Sequence, residues 1–179
     1  MAVVFLTAID EFLLDRVFQP IADRLHQWCG ATPNGIAEFL VIGSFLFTIA
    51  YHVLRDPVIM DFGSGTRIFS FTLDIIATLL LSVMIVYPRD SVLHGMNYKR
   101  VTLFFLRSFW LLCTLINLVT IPVLIPHAVN TFHALGMGAQ FASQLCLWTA
   151  ACFASLNRPP PRKQRESKLL TWLRPRYAT

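Results

Sequence analysis

Four long apolar stretches set the pattern of this chain. Short polar connections separate them, and each approaches the length of about 20 residues that a helix needs to cross a bilayer. Because short loops make consecutive helices antiparallel neighbours, the pattern predicts an all-α integral membrane protein with four transmembrane helices in a small bundle. The predicted spans are residues 36–54, 68–87, 101–125 and 132–156.

A fifth helical segment precedes the spans, within residues 1–30. Its apolar residues recur every three or four positions, which predicts an amphipathic helix at the cytoplasmic face, and Pro20 is expected to bend it. Helices that lie in the membrane interface usually have a basic polar face, whereas this one is mainly acidic. We therefore favour docking on protein, either its own bundle or a partner, and a helix that simply lies on the membrane is the alternative. The apolar stripe consists of Phe5, Ile9, Phe12, Leu13, Val17, Ile21, Leu25 and Trp28.

The composition agrees with a membrane protein. Hydrophobic residues make up 55% of the chain and charged residues 14%, against about 25% charged residues in soluble domains. The four cysteines form no C-x-x-C pair, and most lie in predicted spans, where cysteine acts as a small apolar residue. A disulfide scaffold or a zinc site is therefore not expected.

Basic residues determine the predicted orientation. With four spans both termini lie on one side, and that side carries 12 of the Lys and Arg residues, whereas the opposite side carries only Arg55 and Arg67. Short loops rich in Lys and Arg stay on the cytoplasmic face, so we expect both termini in the cytoplasm. The first residues lack a basic segment and an Ala-x-Ala cleavage site, which favours a bacterial inner membrane.

The C-terminal segment, residues 157–179, is predicted to be a basic cytoplasmic tail. Its proline run cannot continue a helix, and basic residues next to a span bind anionic lipid headgroups at about 1 kcal/mol per charge. An ordinary positive-inside tail without a further role is the alternative. No folded recognition module accompanies the basic residues, so a nucleic-acid partner is not expected. The candidate headgroup contacts are Arg162, Lys163, Arg165 and Lys168.

Asp74 is a carboxylate within the second predicted span. An ionisable residue there costs a few kcal/mol and normally faces protein or water. Counting about 1.5 Å per residue places Asn117 and Gln140 at a similar depth, with His52 and His133 nearer to the non-cytoplasmic boundary. These five residues are therefore predicted to form one intramembrane polar cluster.

Two interpretations of this cluster differ in the role of Asp74. Interhelical hydrogen bonds, worth about 0.6 kcal/mol on average in membranes, would make the cluster structural, and we favour that interpretation. A proton or cation site at Asp74 is the functional alternative. Histidines on facing helices can also hold haem b, but His52 and His133 lie at span ends, where histidine is common. We therefore expect no cofactor and no metal site.

Arg107 is expected to act separately from this cluster. It lies about 9 Å from the cytoplasmic boundary and roughly 10 Å from the depth of Asp74, which disfavours a pair between the two. Glu38 lies nearer the same boundary as Arg107. The sequence therefore predicts a charge pair between Glu38 and Arg107 on the cytoplasmic side, with snorkelling of Arg107 to the headgroups as the alternative.

The fourth span carries pairs of small residues four positions apart. Such pairs let two helices approach closely, and they fit packing within the bundle or self-association equally well. The predicted packing residues are Gly138, Ala142, Ala150 and Ala154.

Together these features favour a non-catalytic accessory, scaffold or assembly subunit of a larger membrane complex, in contact with lipid and with other membrane subunits. The acidic N-terminal helix and the small residues of the last span lead to this interpretation, as does the absence of a catalytic or phosphate-binding motif. The first alternative is a small homo-oligomeric channel or transporter with its site at Asp74. A haem b-bearing anchor subunit is the second. Whether the protein is an enzyme stays open, and the sequence favours that it is not.

A reporter that is active only in the cytoplasm tests the orientation. Fused after Thr179 it should be active, because the basic residues hold that side of the bundle in the cytoplasm. The same reporter fused after Arg55, on the opposite side, is the control and should be inactive. The reverse pattern of activity would contradict the predicted orientation.

Overall fold

The computed structural model describes residues 2–55, 64–87, 92–93, 96–128 and 130–157. The predicted basic tail beyond residue 157, with its candidate headgroup contacts Arg162, Lys163, Arg165 and Lys168, lies outside these residues. Within them the chain is helical apart from one hairpin of two-residue strands, so the all-helical prediction is confirmed.

Seven α-helices follow one another along the described residues, with one π-helical and one 3₁₀ segment and the antiparallel pair β1–β2 between them. The elements are α1 (Ala2–Phe12), the π-helical segment (Leu13–Phe18), α2 (Gln19–Cys29), α3 (Pro33–Arg55), α4 (Ser64–Val86), β1 (Val92–Leu93), β2 (Met96–Asn97), α5 (Tyr98–Thr102), α6 (Phe104–Leu124), the 3₁₀ segment (Ile125–His127) and α7 (Thr131–Ala154).

The long helices α3, α4, α6 and α7 correspond to the four apolar stretches of the sequence. Two of them are long and apolar enough to cross a membrane, over Pro33–Leu54 in α3 and Phe104–Leu124 in α6. The apolar part of α4 among the described residues, Phe71–Val86, is shorter. Four spans therefore stay a prediction, while two helices meet the requirement by length and composition.

The helices α3 and α7 pack most closely together, along a seam of small and polar residues. The hydroxyls of Thr48 and Ser143 lie 2.8 Å apart, and Ser143 donates to the backbone carbonyl of Ser44 over 3.1 Å. A side chain as short as that of Ser143 reaches the backbone of the opposite helix only where small residues let the two helices approach closely. The buried residues of the seam are Ala37, Val41, Ser44, Thr48 and His52 on α3 and Gly136, Ala139, Ser143, Leu147, Ala150 and Ala154 on α7.

The four predicted packing residues fall into different surroundings. Ala150 and Ala154 are buried in the seam. Gly138 is exposed, and a Cβ built there would meet no atom within 4 Å, so packing within this chain does not require a glycine. It lines an apolar groove beside Pro122, between α6 and α7. Ala142 is half-buried.

The other two long helices flank this seam. α4 packs against α3 and more lightly against α7, whereas α6 packs against α7. Among the described residues, direct packing between α4 and α6 is slight. A cleft therefore separates α4 from α6, with the seam of α3 and α7 behind it.

The distribution of buried and exposed side chains is the reverse of that in a soluble protein. Large apolar residues such as Phe39 on α3, Leu80 on α4 and Phe105 on α6 are exposed, while Thr78 and Thr114 are buried. A soluble monomer rarely exposes a continuous apolar surface of this extent. Small and polar residues between helices, with large apolar residues outside, are typical of helices that pack in lipid.

The N-terminal segment forms one helical rod, from α1 through the π-helical segment to α2, and it docks on the bundle. Phe18 packs edge-on against Trp148 and Phe153 near the end of α7, with ring centroids 5.6 and 5.4 Å apart. The rod ends at Gly30, whose φ of 79° is the left-handed conformation that glycine adopts readily. The docking face of the rod consists of Asp10, Leu14, Phe18 and Ala22.

The π-helical segment is what places these four residues on one face. Residues four apart drift by about 40° around an α-helix of 3.6 residues per turn, and the wider π turn offsets this drift. The segment lies just before Pro20, which has no N–H to donate to the preceding turn. The N–H of Gln19 instead bonds the carbonyl of Leu14, five residues back.

The apolar stripe that the sequence suggested is therefore not the docking face. Phe5, Phe12, Val17, Ile21 and Trp28 of that stripe are exposed. Ile9, Leu13 and Leu25 are half-buried. The helix does dock on its own bundle, but through residues that a regular α-helical period does not align.

Candidate functional site

Polar side chains inside the bundle collect in two places. The end cluster joins Asp10, Lys99, Arg107 and Ser155 where α6 begins and α7 ends. The central cleft lies between α4 and α6 about halfway along the helices, and Asp74 lines it. Asp74 and Arg107 therefore belong to different groups of residues.

Arg107 is the centre of the end cluster, and only 1% of its side chain is exposed. Its Nε donates to Asp10 over 2.8 Å and one Nη group donates to the second carboxylate oxygen, which makes the ion pair bidentate. The other N–H groups bond Ser155 and the carbonyls of Lys99 and Arg100. All five guanidinium N–H groups thus have an acceptor.

The carboxylate that binds Arg107 is thus Asp10, where the sequence suggested Glu38. The rod formed by α1 and the π-helical segment places Asp10 beside α6. Glu38 is half-buried on α3, and direct packing between α3 and α6 is slight among the described residues. The pair is long-range in sequence, so spacing within one helix could not have indicated it.

Lys99 extends the end cluster to α4. Its Nζ donates to the carbonyls of Ile85 and Val86 over 2.8 and 3.1 Å, and the residue is buried. These carbonyls belong to the last turn of α4, which has no further helical N–H to receive. A cation there also faces the negative end of the helix dipole. Lys99 therefore caps α4 and ties it to α5.

A second ion pair, between Asp15 and Arg100, lies closer to the surface. Nη2 of Arg100 lies 2.8 Å from Oδ2 of Asp15. The Asp15 side chain is 54% exposed and the Arg100 side chain 26%. The hydrogen bond to Asp15 raises the pKa of the Arg100 guanidinium, although partial burial opposes this. An exposed pair is worth about 0–1 kcal/mol, whereas breaking a buried pair costs about 3–5 kcal/mol. The Asp10–Arg107 pair is therefore the stronger attachment of the rod.

The central cleft has a volume of about 130 Å³. At roughly 30 Å³ per molecule it has room for a few waters or one small polar group. Residues from all four long helices line it, and more than half of them carry polar atoms: Thr48, Tyr51, Asp74, Ala77, Thr78, Leu81, Trp110, Gln140, Ser143, Gln144 and Leu147.

Asp74 reaches the edge of this cleft from α4. Its carboxylate forms a hydrogen bond with Nε2 of His52 over 2.9 Å. The Asp74 side chain is 48% exposed and the His52 side chain 5%. The imidazole packs edge-on against Tyr51 and Phe71, with ring centroids 4.9 and 5.1 Å apart. The histidine is thus enclosed, while about half of the Asp74 side chain stays exposed.

Other polar groups around the cleft are partly satisfied. The amide of Asn117 donates to Gln144 over 2.5 Å, whereas Gln140, the partner suggested by depth, lines the cleft itself. The indole Nε1 of Trp110 is buried and has no hydrogen-bond partner within the described part of the chain. A buried donor without an acceptor costs about 1–3 kcal/mol. The cleft is therefore lined by a carboxylate that bonds His52 and by an indole donor that has no partner among the described residues.

The five residues of the predicted polar cluster thus do not form one group. The structure brings Asp74 to His52 and places Gln140 in the same cleft, while Asn117 bonds Gln144. His133 belongs to the first turns of α7; its backbone N–H bonds the cap residue Asn130, and its Nδ1 is buried without a partner among the described residues.

The residues chosen from the sequence as site candidates did not include Thr48, Ser143 or Trp110. Helical spacing places Ser143 and Trp110 on the polar faces of α7 and α6. For Thr48, the hydroxyl of Ser44 four residues earlier in α3 was the available signal.

A haem at His52 and His133 would have to displace existing contacts. Nε2 of His52 is engaged by Asp74 and its ring is enclosed by aromatic neighbours. His133 is not among the residues that line the central cleft. No group of three or more metal-binding side chains occurs among the described residues.

Substitution of Asp74 tests whether its hydrogen bond or its charge matters to the fold. Asp74→Leu should lower the free energy of unfolding in detergent by about 1–3 kcal/mol, because His52 loses its buried partner. Asp74→Asn keeps an acceptor for His52 and should cost less than half as much. Unfolding is followed by circular dichroism during denaturation. Equal losses of unfolding free energy in the two variants would contradict a structural role for the hydrogen bond.

Comparison with known proteins does not assign either group of residues. No protein-family model matches the chain, and neither the curated proteins nor the solved structures contain a match. Function is therefore inferred from the arrangement of the described residues: an end cluster whose guanidinium is fully hydrogen-bonded, and a central cleft lined by Asp74 and by an indole donor without a partner among them.

Proposed function

We propose that this protein is a four-span integral membrane subunit, with both termini in the cytoplasm, that serves as a non-catalytic accessory, scaffold or assembly component of a larger membrane complex. The exposed apolar side chains of α3, α4 and α6 support the membrane location, because they would meet lipid tails rather than water. The distribution of Lys and Arg residues supports the orientation.

The central cleft is the observation that carries the subunit role. α4 and α6 scarcely touch, so the bundle is incomplete on that side. Asp74 lines the cleft with a side chain that is 48% exposed, and Nε1 of Trp110 in the same cleft lacks a partner among the described residues. Lipid tails offer no hydrogen bonds, so such groups normally face protein or water. A transmembrane segment of another subunit that supplies a polar side chain at this depth would complete the bundle.

The end cluster supports a scaffold more than a moving part. Arg107, which has an acceptor for every N–H group, and Lys99, which bonds two carbonyls of α4, hold the rod, α4, α5, α6 and the end of α7 together. A buried charge that loses its partner costs several kcal/mol, which opposes rearrangement at this end. The side of the molecule that is open to a partner is therefore the cleft.

A homo-oligomeric channel or transporter is the second candidate, and the chemistry of the cleft favours it. Asp74 faces hydroxyl and amide side chains, including Thr78 and Gln140, which can coordinate a cation or relay a proton. In this case copies of the chain would complete the cleft and Asp74 would bind the transported ion. Ion flux into liposomes from the purified protein alone distinguishes this candidate from the accessory role.

The native mass of the tagged protein in mild detergent, with identification of its companions, tests the accessory role. We expect other membrane proteins at fixed stoichiometry. Asp74→Asn should reduce their recovery several-fold, because the carboxylate meets the partner, and Val83→Leu, at an exposed site on the same helix, is the control.

A defined homo-oligomer without companions would contradict the accessory role and support the second candidate. Companions that are retained equally by Asp74→Asn and Val83→Leu would keep the complex but remove the cleft as its contact.

A further inference from the structure

The N-terminal rod carries an exposed apolar face. Phe5, Phe12 and Trp28 are 68%, 61% and 81% exposed, and Val17 and Ile21 are exposed as well. These five residues, here called the outer face, lie on the rod away from Asp10, Leu14, Phe18 and Ala22, which dock on the bundle. An apolar face of this size needs lipid or protein against it.

The acidic residues of the rod do not prevent contact with lipid. Asp10 is neutralised by Arg107, and Asp15 by Arg100. Asp23 accepts a hydrogen bond from Gln19 within the rod. The charges of Asp10 and Asp15 are therefore balanced once the rod is docked, and those of the exposed Glu11 and of Asp23 are matched in number by Arg16 and Arg24.

Apart from Glu11 and Asp23, the remaining charges of the rod are basic. Arg16 and Arg24 are exposed along the rod, and basic residues next to apolar ones suit the boundary between headgroups and lipid tails. Trp28, at the end of the rod, is a residue type enriched at that boundary.

The position of the rod along the bundle agrees with a location at the boundary between headgroups and lipid tails. α1 packs against α6, and Asp10 meets Arg107 within the first turns of that helix. Val101 and Phe105, at the same end, are 69% and 79% exposed, so the apolar outer surface of the bundle begins at the level of the rod.

We propose that the rod lies in the cytoplasmic headgroup–tail boundary of the bilayer, with its docking face on the bundle and its outer face in lipid. Asp10 and Asp15 bind the bundle, and the apolar residues of the outer face bind the membrane. This inference rests on the four-span arrangement proposed above and adds a lipid surface as the occupant of the outer face. The rod then fixes the depth of α6 and α7 in the bilayer.

Spin-label accessibility in vesicles of phosphatidylcholine and phosphatidylglycerol tests this inference. Single cysteines introduced as Phe12→Cys and Ile21→Cys, in a background without the four native cysteines, are labelled, and their collision rates with oxygen and with a water-soluble nickel chelate are measured. The ratio of oxygen to nickel collisions should be several-fold higher at both positions than at Glu11→Cys, an exposed polar position of the same rod.

Phe39→Cys and Phe105→Cys, on the outer surfaces of α3 and α6, separate the possible failures. Nickel access at positions 12 and 21, with lipid exposure at 39 and 105, would overturn the lipid contact of the rod alone. Nickel access at all four positions would overturn the membrane bundle itself. If the cysteine-free background does not fold, a benzophenone amino acid at positions 12 and 21 gives the same answer, since lipid adducts support the proposal and their absence contradicts it.

Discussion

The burial of Arg107 is the constraint on which the rest of the structure depends. A guanidinium that is 1% exposed must have an acceptor for each N–H group. The chain supplies them from four places: Asp10 in α1, the carbonyls of Lys99 and Arg100 in α5, and Ser155 after α7. The N-terminal rod is therefore part of the bundle, because without Asp10 a buried cation would lose its counter-ion.

In the middle of the bundle, buried polar groups have hydrogen-bond partners only in part among the described residues. His52 is enclosed and paired, but the Asp74 side chain is 48% exposed and Nε1 of Trp110 has no partner among the described residues. The two polar groups thus differ: the guanidinium of the end cluster is fully hydrogen-bonded, whereas the central cleft has a buried donor without a partner among the described residues. This difference is why the proposed role is assembly with another membrane protein.

The helices were predictable from the sequence, and several of their contacts were not. Apolar runs indicate helices wherever they meet lipid or protein, and an acid such as Asp74 in such a run is expected to face inward. Neither fact identifies the partner, because His52 and Asp74 meet only when α3 and α4 adopt one particular packing. The docking face of the rod depends on a π-helical segment before Pro20, and a period of 3.6 residues selects a different face.

A double-mutant cycle between Asp10 and Arg107 tests most directly whether this ion pair holds the rod on the bundle. The unfolding free energies of Asp10→Ala, Arg107→Met and the double variant are compared with that of the original chain, and the exposed Asp15–Arg100 pair provides a reference cycle. We expect each single change to cost about 3–5 kcal/mol and the cycle to give a coupling of about 2–3 kcal/mol. A coupling as small as that of the exposed pair would show that Arg107 is stabilised without Asp10, and that the rod is attached by other contacts.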